Sequence, residues 1–283
     1  MILFPLIVTA IRHRSFPRSM KTSVAHATST ELRNPDMPHT LMKQLADLKL
    51  TGMATALSTQ MEQPGTYEEL SFRERLALLT SNEQLVREQR KQKRLLQKAR
   101  LRLEASVHDI DYQHPRNLER SRIAQLSQNE WVIRGQNLLI TGPCGCGKTY
   151  VGCALGNNAC QQGYSVKYWR LSRLLVELTH SRADGSYKKQ LTDLSKTQLL
   201  ILDDWGLEPL TAVHRNDLLE IMDDRYGKNA TVMISQLPTD EWYGSVGENT
   251  LADAILDRLM HNAHRLEMKG ESMRKRLAQV DTK

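Results

Sequence analysis

Aromatic side chains are scarce, at 5% of the 283-residue chain with three Phe. Stacking bases on aromatic platforms is therefore not the expected main mode of any nucleic-acid binding. Glycine is also modest, with 15 residues, which excludes a collagen-like chain. Long apolar runs are nearly missing. The one at the start, Met1 to Ile11, is too short to span a bilayer. It has no basic residue ahead of it, since Arg12 and Arg14 come after, and it lacks a small-residue cleavage site, so neither a membrane nor a secretory segment is expected. Cysteines number four, Cys144, Cys146, Cys153 and Cys160. Their spacing matches no usual zinc pattern, and seven residues separate two that share a helix face and are expected to face the core. Without a disulfide framework or a signal, the cytoplasm is the expected compartment.

What is present is an ordinary soluble composition with a basic surplus. Charged residues make up 25% and hydrophobic ones 40%, and 39 Lys and Arg oppose 32 Asp and Glu, for a net charge of +7. That balance suits a polyanionic partner.

The chain reads in four stretches. Residues 1–36 show no sustained period and are expected to be irregular, with Met20 and Met37 as alternative starts. Residues 37–115 read as a helical domain. Leu41, Leu45, Leu48, Met53, Leu57 and Met61 recur at helical spacing, Gly52 breaks or bends the run, and Pro64-Gly65 ends it. Ser71 with Glu74 is a capping-box pattern that opens a second helix, expected to reach about Glu104. Within it, residues 87–102 carry eight basic residues and one acid. This run fits either a solvated face or a phosphate-contacting helix, with Arg90, Lys91, Lys93, Arg94 and Lys98 as candidate contacts.

Residues 116–276 change texture, and 277–283 form a tail. Short apolar runs alternate with helical segments: NLLIT (137–141), SVKYW (165–169), QLLIL (198–202), TVMIS (231–235) and HRLEM (264–268). Strands that are apolar throughout, alternating with helices, predict an α/β fold with a parallel sheet covered on both faces.

Two motifs in that domain carry chemistry. Gly142, Pro143, Cys144, Gly145, Cys146, Gly147, Lys148 and Thr149 form a Walker A pattern between a strand and a helix, with Tyr150 following. Glycines let the backbone aim several N–H groups at one phosphate, at the positive end of a helix. Lys148 can reach the β and γ oxygens of ATP, and Thr149 can hold Mg²⁺. Downstream, LLILDDWG ends a buried strand on Asp203 and Asp204. Asp203 is the expected metal-side carboxylate; Asp204 would orient or deprotonate the attacking water. The strand TVMIS then delivers Gln236, which fits a water-holding residue or a plain turn before Pro238.

Together GPCGCGKT, LLILDDWGLEPL, SQLP and LADAILDRLMHNAHRLEMKGESMRK resemble the AAA+ ATPases of the IstB type over residues 38–276. These are transposition helpers related to DnaC-type helicase loaders and initiator ATPases. The resemblance implies an AAA+ P-loop core behind a helical domain, with ATP and Mg²⁺ as cofactors. Its implied partners are double-stranded DNA bound with little sequence preference, a cognate transposase and further copies of the chain. It also implies that Arg258 is an arginine finger and Arg274 a sensor arginine; surface pairing with Asp257 or Glu271 fits the same residues. Arg173, Arg182, Lys188 and Lys189 follow the second strand, where initiators carry an element facing DNA, and fit a solvated surface equally. Two departures stand out. Cys144 and Cys146 expose the loop to oxidation, and Asp204 replaces the usual Glu, which implies slow hydrolysis. Helicase loading is the runner-up reading. A small-molecule kinase, for which no lid-like insertion is evident, and a DNA scaffold with ATP as a structural ligand come after it.

Overall fold

The computed structural model describes residues 37–273. The stretch 1–36, Arg274 and the tail 277–283 lie outside them. The chain divides into two compact units, one ending at Val86 and the other starting at Arg87.

The first unit holds α1 (Met37–Asp47), α2 (Thr51–Glu62), the short α3 (Pro64–Tyr67) and the start of α4 (Phe72–Ala99). The expected break falls just ahead of Gly52, where Lys49 takes a left-handed φ of 61°. Gly52 has a different task. A Cβ there would lie 2.7 Å from the Glu83 Cα, so only glycine lets α2 approach α4 this closely. The buried Glu83 carboxylate accepts the N–H groups of Gly52 at 2.7 Å and Met53 at 3.2 Å, capping α2 from another helix. The capping box at α4 forms as read: Glu74 accepts the Ser71 N–H at 2.8 Å, and Ser71 Oγ accepts the Glu74 N–H at 3.3 Å.

α4 ends at Ala99, short of the expected Glu104. Arg100 turns left-handed there, with φ 50°, and breaks the helix although the charge pattern continues.

The second unit continues with α5 (Arg120–Ser127), α6 (Glu130–Ile133), β1 (Asn137–Thr141), α7 (Lys148–Gln161), β2 (Val166–Arg170), α8 (Leu171–Asp184) and α9 (Tyr187–Lys196). Then come β3 (Leu199–Trp205), α10 (Ala212–Arg225), β4 (Ala230–Ser235), α11 (Trp242–Val246), α12 (Asn249–Met260) and β5 (Ala263–Glu267). All five strands run parallel in the order β2-β3-β4-β1-β5.

Successive residues of a strand point to opposite faces, so each strand feeds two cores. Leu138, Ile140, Leu199 and Ile201 pack with Val151, Leu155, Cys153 and Cys160 of α7. Leu139, Leu200 and Leu202 pack on the other side with Leu174 and Leu178 of α8, Leu218 of α10 and Ile255 of α12. That is why the strands read as unbroken apolar runs, and both helix cysteines are buried as expected. Among the described residues no helix is long and apolar enough to cross a membrane.

Candidate nucleotide site

The Walker A residues form a loop between β1 and the first turn of α7. Gly142, Gly145 and Gly147 take φ of 143°, 82° and 100°, conformations that a side chain would strain. Neighbours also fill the space a side chain would need: the Met268 carbonyl at Gly142 and the Ser272 hydroxyl at Gly145. The strand after α12 thus leads into a strap over the loop. Met268 N–H donates to Thr141 O at 2.7 Å and Met273 N–H to Gly145 O at 3.0 Å. Lys148 is buried, and its Nζ donates to the carbonyls of Gly142 at 2.6 Å and Pro143 at 2.8 Å. Cys144 is exposed and Cys146 buried. Tyr150 packs partly buried against the α7 side of the core.

β3 brings its carboxylates to the same place. Asp203 Oδ2 accepts the Thr149 hydroxyl at 2.8 Å and the Tyr168 hydroxyl at 2.7 Å. Burial, and then the Asp203 carboxylate, push the Tyr168 phenol far up, so it stays a proton donor to Asp203. A bulge follows. Leu202 pairs with Met233 but Trp205 with Ser235, so Asp203 and Asp204 together face one residue of β4. Asp204 absorbs the extra length with a left-handed φ of 67°. Its Oδ2 accepts Arg170 Nε at 2.7 Å, and Arg102 NH1 lies 4.0 Å away. The same Arg102 atom is 3.8 Å from Asp203.

A hydroxyl and a carboxylate 2.8 Å apart beside a phosphate loop are hard oxygen ligands of the kind Mg²⁺ takes in small number. The residues present therefore fit that ion.

Gln236 is exposed at the tip of β4, which runs between β1 and β3, so it stands between the two motifs as read. Ser235 shapes that tip by donating to Trp205 O at 3.0 Å and accepting the Leu237 N–H at 2.9 Å. Arg258 is elsewhere. Its guanidinium pairs with Asp223 rather than Asp257, and NH1 donates to Ala254 O at 2.8 Å. Its own carbonyl accepts Asn137 Nδ2 at 3.0 Å, at the start of β1, whereas the phosphate loop follows the end of β1.

The basic candidates separate in the same way. Arg90, Lys91, Lys93, Arg94 and Lys98 lie exposed along α4, and Arg173, Lys188 and Lys189 are exposed on α8 and α9. Arg182 is exposed too but already paired. It grips the fully buried Asp217 of α10 with both terminal nitrogens and lies over the Tyr187 ring at 4.0 Å. Its charge neutralises that carboxylate and so serves the packing of α8 on α10.

Sequence reasoning missed Arg102, Tyr168, Arg170, Arg116 and Asn137. Arg116 is buried behind the loop, where NH1 donates to Cys146 O at 3.1 Å and NH2 to Asp111 O. Asn137 also accepts the Thr231 N–H at 3.0 Å, tying β4 and the end of α12 to β1.

This parallel sheet, with a phosphate loop after one strand and paired carboxylates ending another, matches a family model described as IstB-like ATP binding protein over residues 43–280. The chain belongs to that family. A Sinorhizobium fredii protein named for ATP binding in an insertion sequence is 45% identical over 239 residues, 84% of this chain and 97% of the relative. The crystal structure of the DnaC helicase loader aligns over 58% of this chain and 97% of its own, with TM-score 0.50 and 21% identity. AMPPCP-bound DnaA from Aquifex aeolicus aligns over 64% of this chain and 56% of its own, with TM-score 0.51 and 18% identity. At those identities the two structures establish the shared AAA+ P-loop fold. IstB-like membership makes ATP the nucleotide and an insertion sequence the setting.

Proposed function

We propose that this IstB-like protein is an ATPase that binds double-stranded DNA, multimerises on it and assists a transposase from the cytoplasm. The carrying observation is the Thr149–Asp203 contact, which sets the metal-side pair against the phosphate loop. Bound Mg²⁺ would supply charge neutralisation on the phosphate oxygens. Lys148 trades its bonds to Gly142 O and Pro143 O for the β and γ oxygens of ATP. Asp204 orients and deprotonates the attacking water, and Gln236 holds that water. Release from the Arg170 pairing frees the Asp204 carboxylate for that work.

Arg258 supports assembly. It sits by the first residue of β1, and the loop leaves from the fifth, about 13 Å along the strand at the usual rise. Arg258 therefore serves the nucleotide of a neighbouring copy, neutralising charge in phosphoryl transfer. Arg274, outside the described residues, is the proposed sensor. The exposed cations of α4 with Arg173, Lys188 and Lys189 contact DNA phosphates, which carry little sequence information. The family's insertion-sequence setting supports a transposase as the partner rather than a helicase.

The test mixes two inactive variants. Arg258→Ala keeps an intact loop and Lys148→Ala an intact finger, so their mixture regains DNA-stimulated phosphate release through hybrid interfaces. No recovery at any ratio rejects the shared site.

A further inference from the structure

The basic run on α4 and the carboxylates of β3 are joined by one side chain, Arg102. It follows α4 by three residues, and its NH1 lies 3.8 Å from Asp203 and 4.0 Å from Asp204. The Tyr168 hydroxyl, which Arg102 influences electrostatically, itself donates to Asp203 at 2.7 Å. One guanidinium thus sits against the carboxylate expected to hold the metal and the carboxylate expected to act on water. The chain on either side of Arg102 is anchored to α7. Asn157 of α7 donates to Ala105 O at 2.8 Å, and Gln92 of α4 donates to Gln161 O at 2.7 Å.

Between those anchors Ala99 is buried in the core while the surface beside the end of α4 is open. Arg100 takes its left-handed φ of 50° where α4 stops, ahead of Arg102. A cleft of about 500 Å³ separates Gln97–Arg100 from Lys167–Trp169 of β2. The Arg102 side chain is 37% exposed, so it has a path to solvent.

We propose that Arg102 is a positioning residue that couples the basic helix α4 to the metal-side carboxylates. This rests on the reading of the chain as an ATP- and DNA-binding protein. The coupling is electrostatic. A divalent cation shared by Thr149 and Asp203 and a guanidinium within 4 Å of the same carboxylate repel each other. Loading the nucleotide site therefore drives Arg102 off Asp203. Released, Arg102 adds a cation at the end of a run that already holds Lys98 and Arg100. Linkage makes the effect reciprocal: DNA that draws Arg102 away from the carboxylates raises their affinity for Mg²⁺.

Two titrations on the full chain test this. The first measures fluorescence anisotropy of a labelled 30-base-pair duplex, with Mg²⁺ and a non-hydrolysable ATP analogue or with EDTA alone. Wild type is expected to bind at least about 5-fold more tightly in the loaded state, and Arg102→Gln to differ by less than about 2-fold between the two. Arg102→Lys restores most of the dependence. The second titrates Mg²⁺ into protein holding a fluorescent ATP analogue, without DNA. Half-saturating Mg²⁺ falls several-fold in Arg102→Gln, because the competing cation is gone. A purely structural role would lower the melting temperature in both variants and leave this titration unmoved. An Arg102→Gln variant with wild-type nucleotide dependence and unchanged Mg²⁺ demand overturns the proposal. If wild type binds no duplex, the DNA reading falls, and the coupling with it. An unchanged Mg²⁺ titration alone rejects Arg102 as the competing cation.

Discussion

The Thr149 hydroxyl donates to Asp203 across 2.8 Å, joining the first turn of α7 to the tip of β3. These residues stand 54 positions apart, and the parallel sheet, with β4 between β1 and β3, brings the start of α7 to the tip of β3. From this contact the site's chemistry becomes testable.

Lys148→Ala removes the cation that the loop carbonyls hold, so ATP binding by calorimetry disappears. Asp204→Asn keeps the shape but not the basicity. It binds ATP normally and hydrolyses it about 10²–10⁴-fold more slowly. Normal turnover in Asp204→Asn would move the base elsewhere.

Labelling should separate Cys144 from the two thiols buried on α7. Cys144 is exposed. Burial raises the Cys153 thiol and pushes Cys160 up to about 12. Iodoacetamide at pH 8 labels Cys144 and spares Cys153 and Cys160, since the thiolate is the nucleophile. ATP protects Cys144. Peptide mass spectrometry reads this, and equal labelling of all sites contradicts it.

Arg225 is 1% exposed and donates to the carbonyls of Leu194, Thr197 and Ala230 and to Thr231 Oγ1. Burial lowers its pKa to about 9, so it stays charged at neutral pH. Arg225→Met leaves those buried acceptors unpaired and costs about 3 kcal/mol or more in urea unfolding. A cost under about 1 kcal/mol means that water replaces the guanidinium.

Glu248 caps α12, accepting the N–H groups of Thr250 at 3.1 Å and Leu251 at 2.7 Å, and these bonds hold its pKa below the ordinary glutamate value. A depressed folded-state pKa gives stability present above the unfolded value, about 4.3, and removed as pH falls through the folded one. Glu248→Gln flattens that part of the acid limb. NMR titration of Glu248 settles the direction; a midpoint at or above the ordinary value refutes it.

Changing Arg90, Lys91, Lys93 and Arg94 together to Ala should weaken binding equally on two unrelated duplexes. The log–log salt slope should drop by up to about 0.9 for each phosphate that is no longer neutralised. An unchanged slope makes this face of α4 a solvated one and leaves Arg173, Lys188 and Lys189 to hold the DNA.

The sheet was legible because strands buried on both faces leave unbroken apolar runs, and Leu199–Leu202 does so. The loop was legible because its chemistry is local in sequence. Arg102, Arg170 and Arg116 were not, since each acts through long-range partners that leave no period. The pairing of Arg182 was hidden for the same reason: nothing near it in sequence reveals that Asp217 lies buried opposite. The end of α4 was misplaced because charge continues past Arg100 while the backbone turns.

The strap over the phosphate loop makes the described C-terminal segment a natural spectroscopic gauge. The Met268 ε-methyl lies 3.9 Å from where a side chain on Gly147 would begin, and the Met273 N–H is fixed to Gly145. A ¹³C-methyl label at Met268 therefore reports the loop's shape without altering any group that touches nucleotide. Its chemical shift offers a way to follow loading and release in solution as they happen.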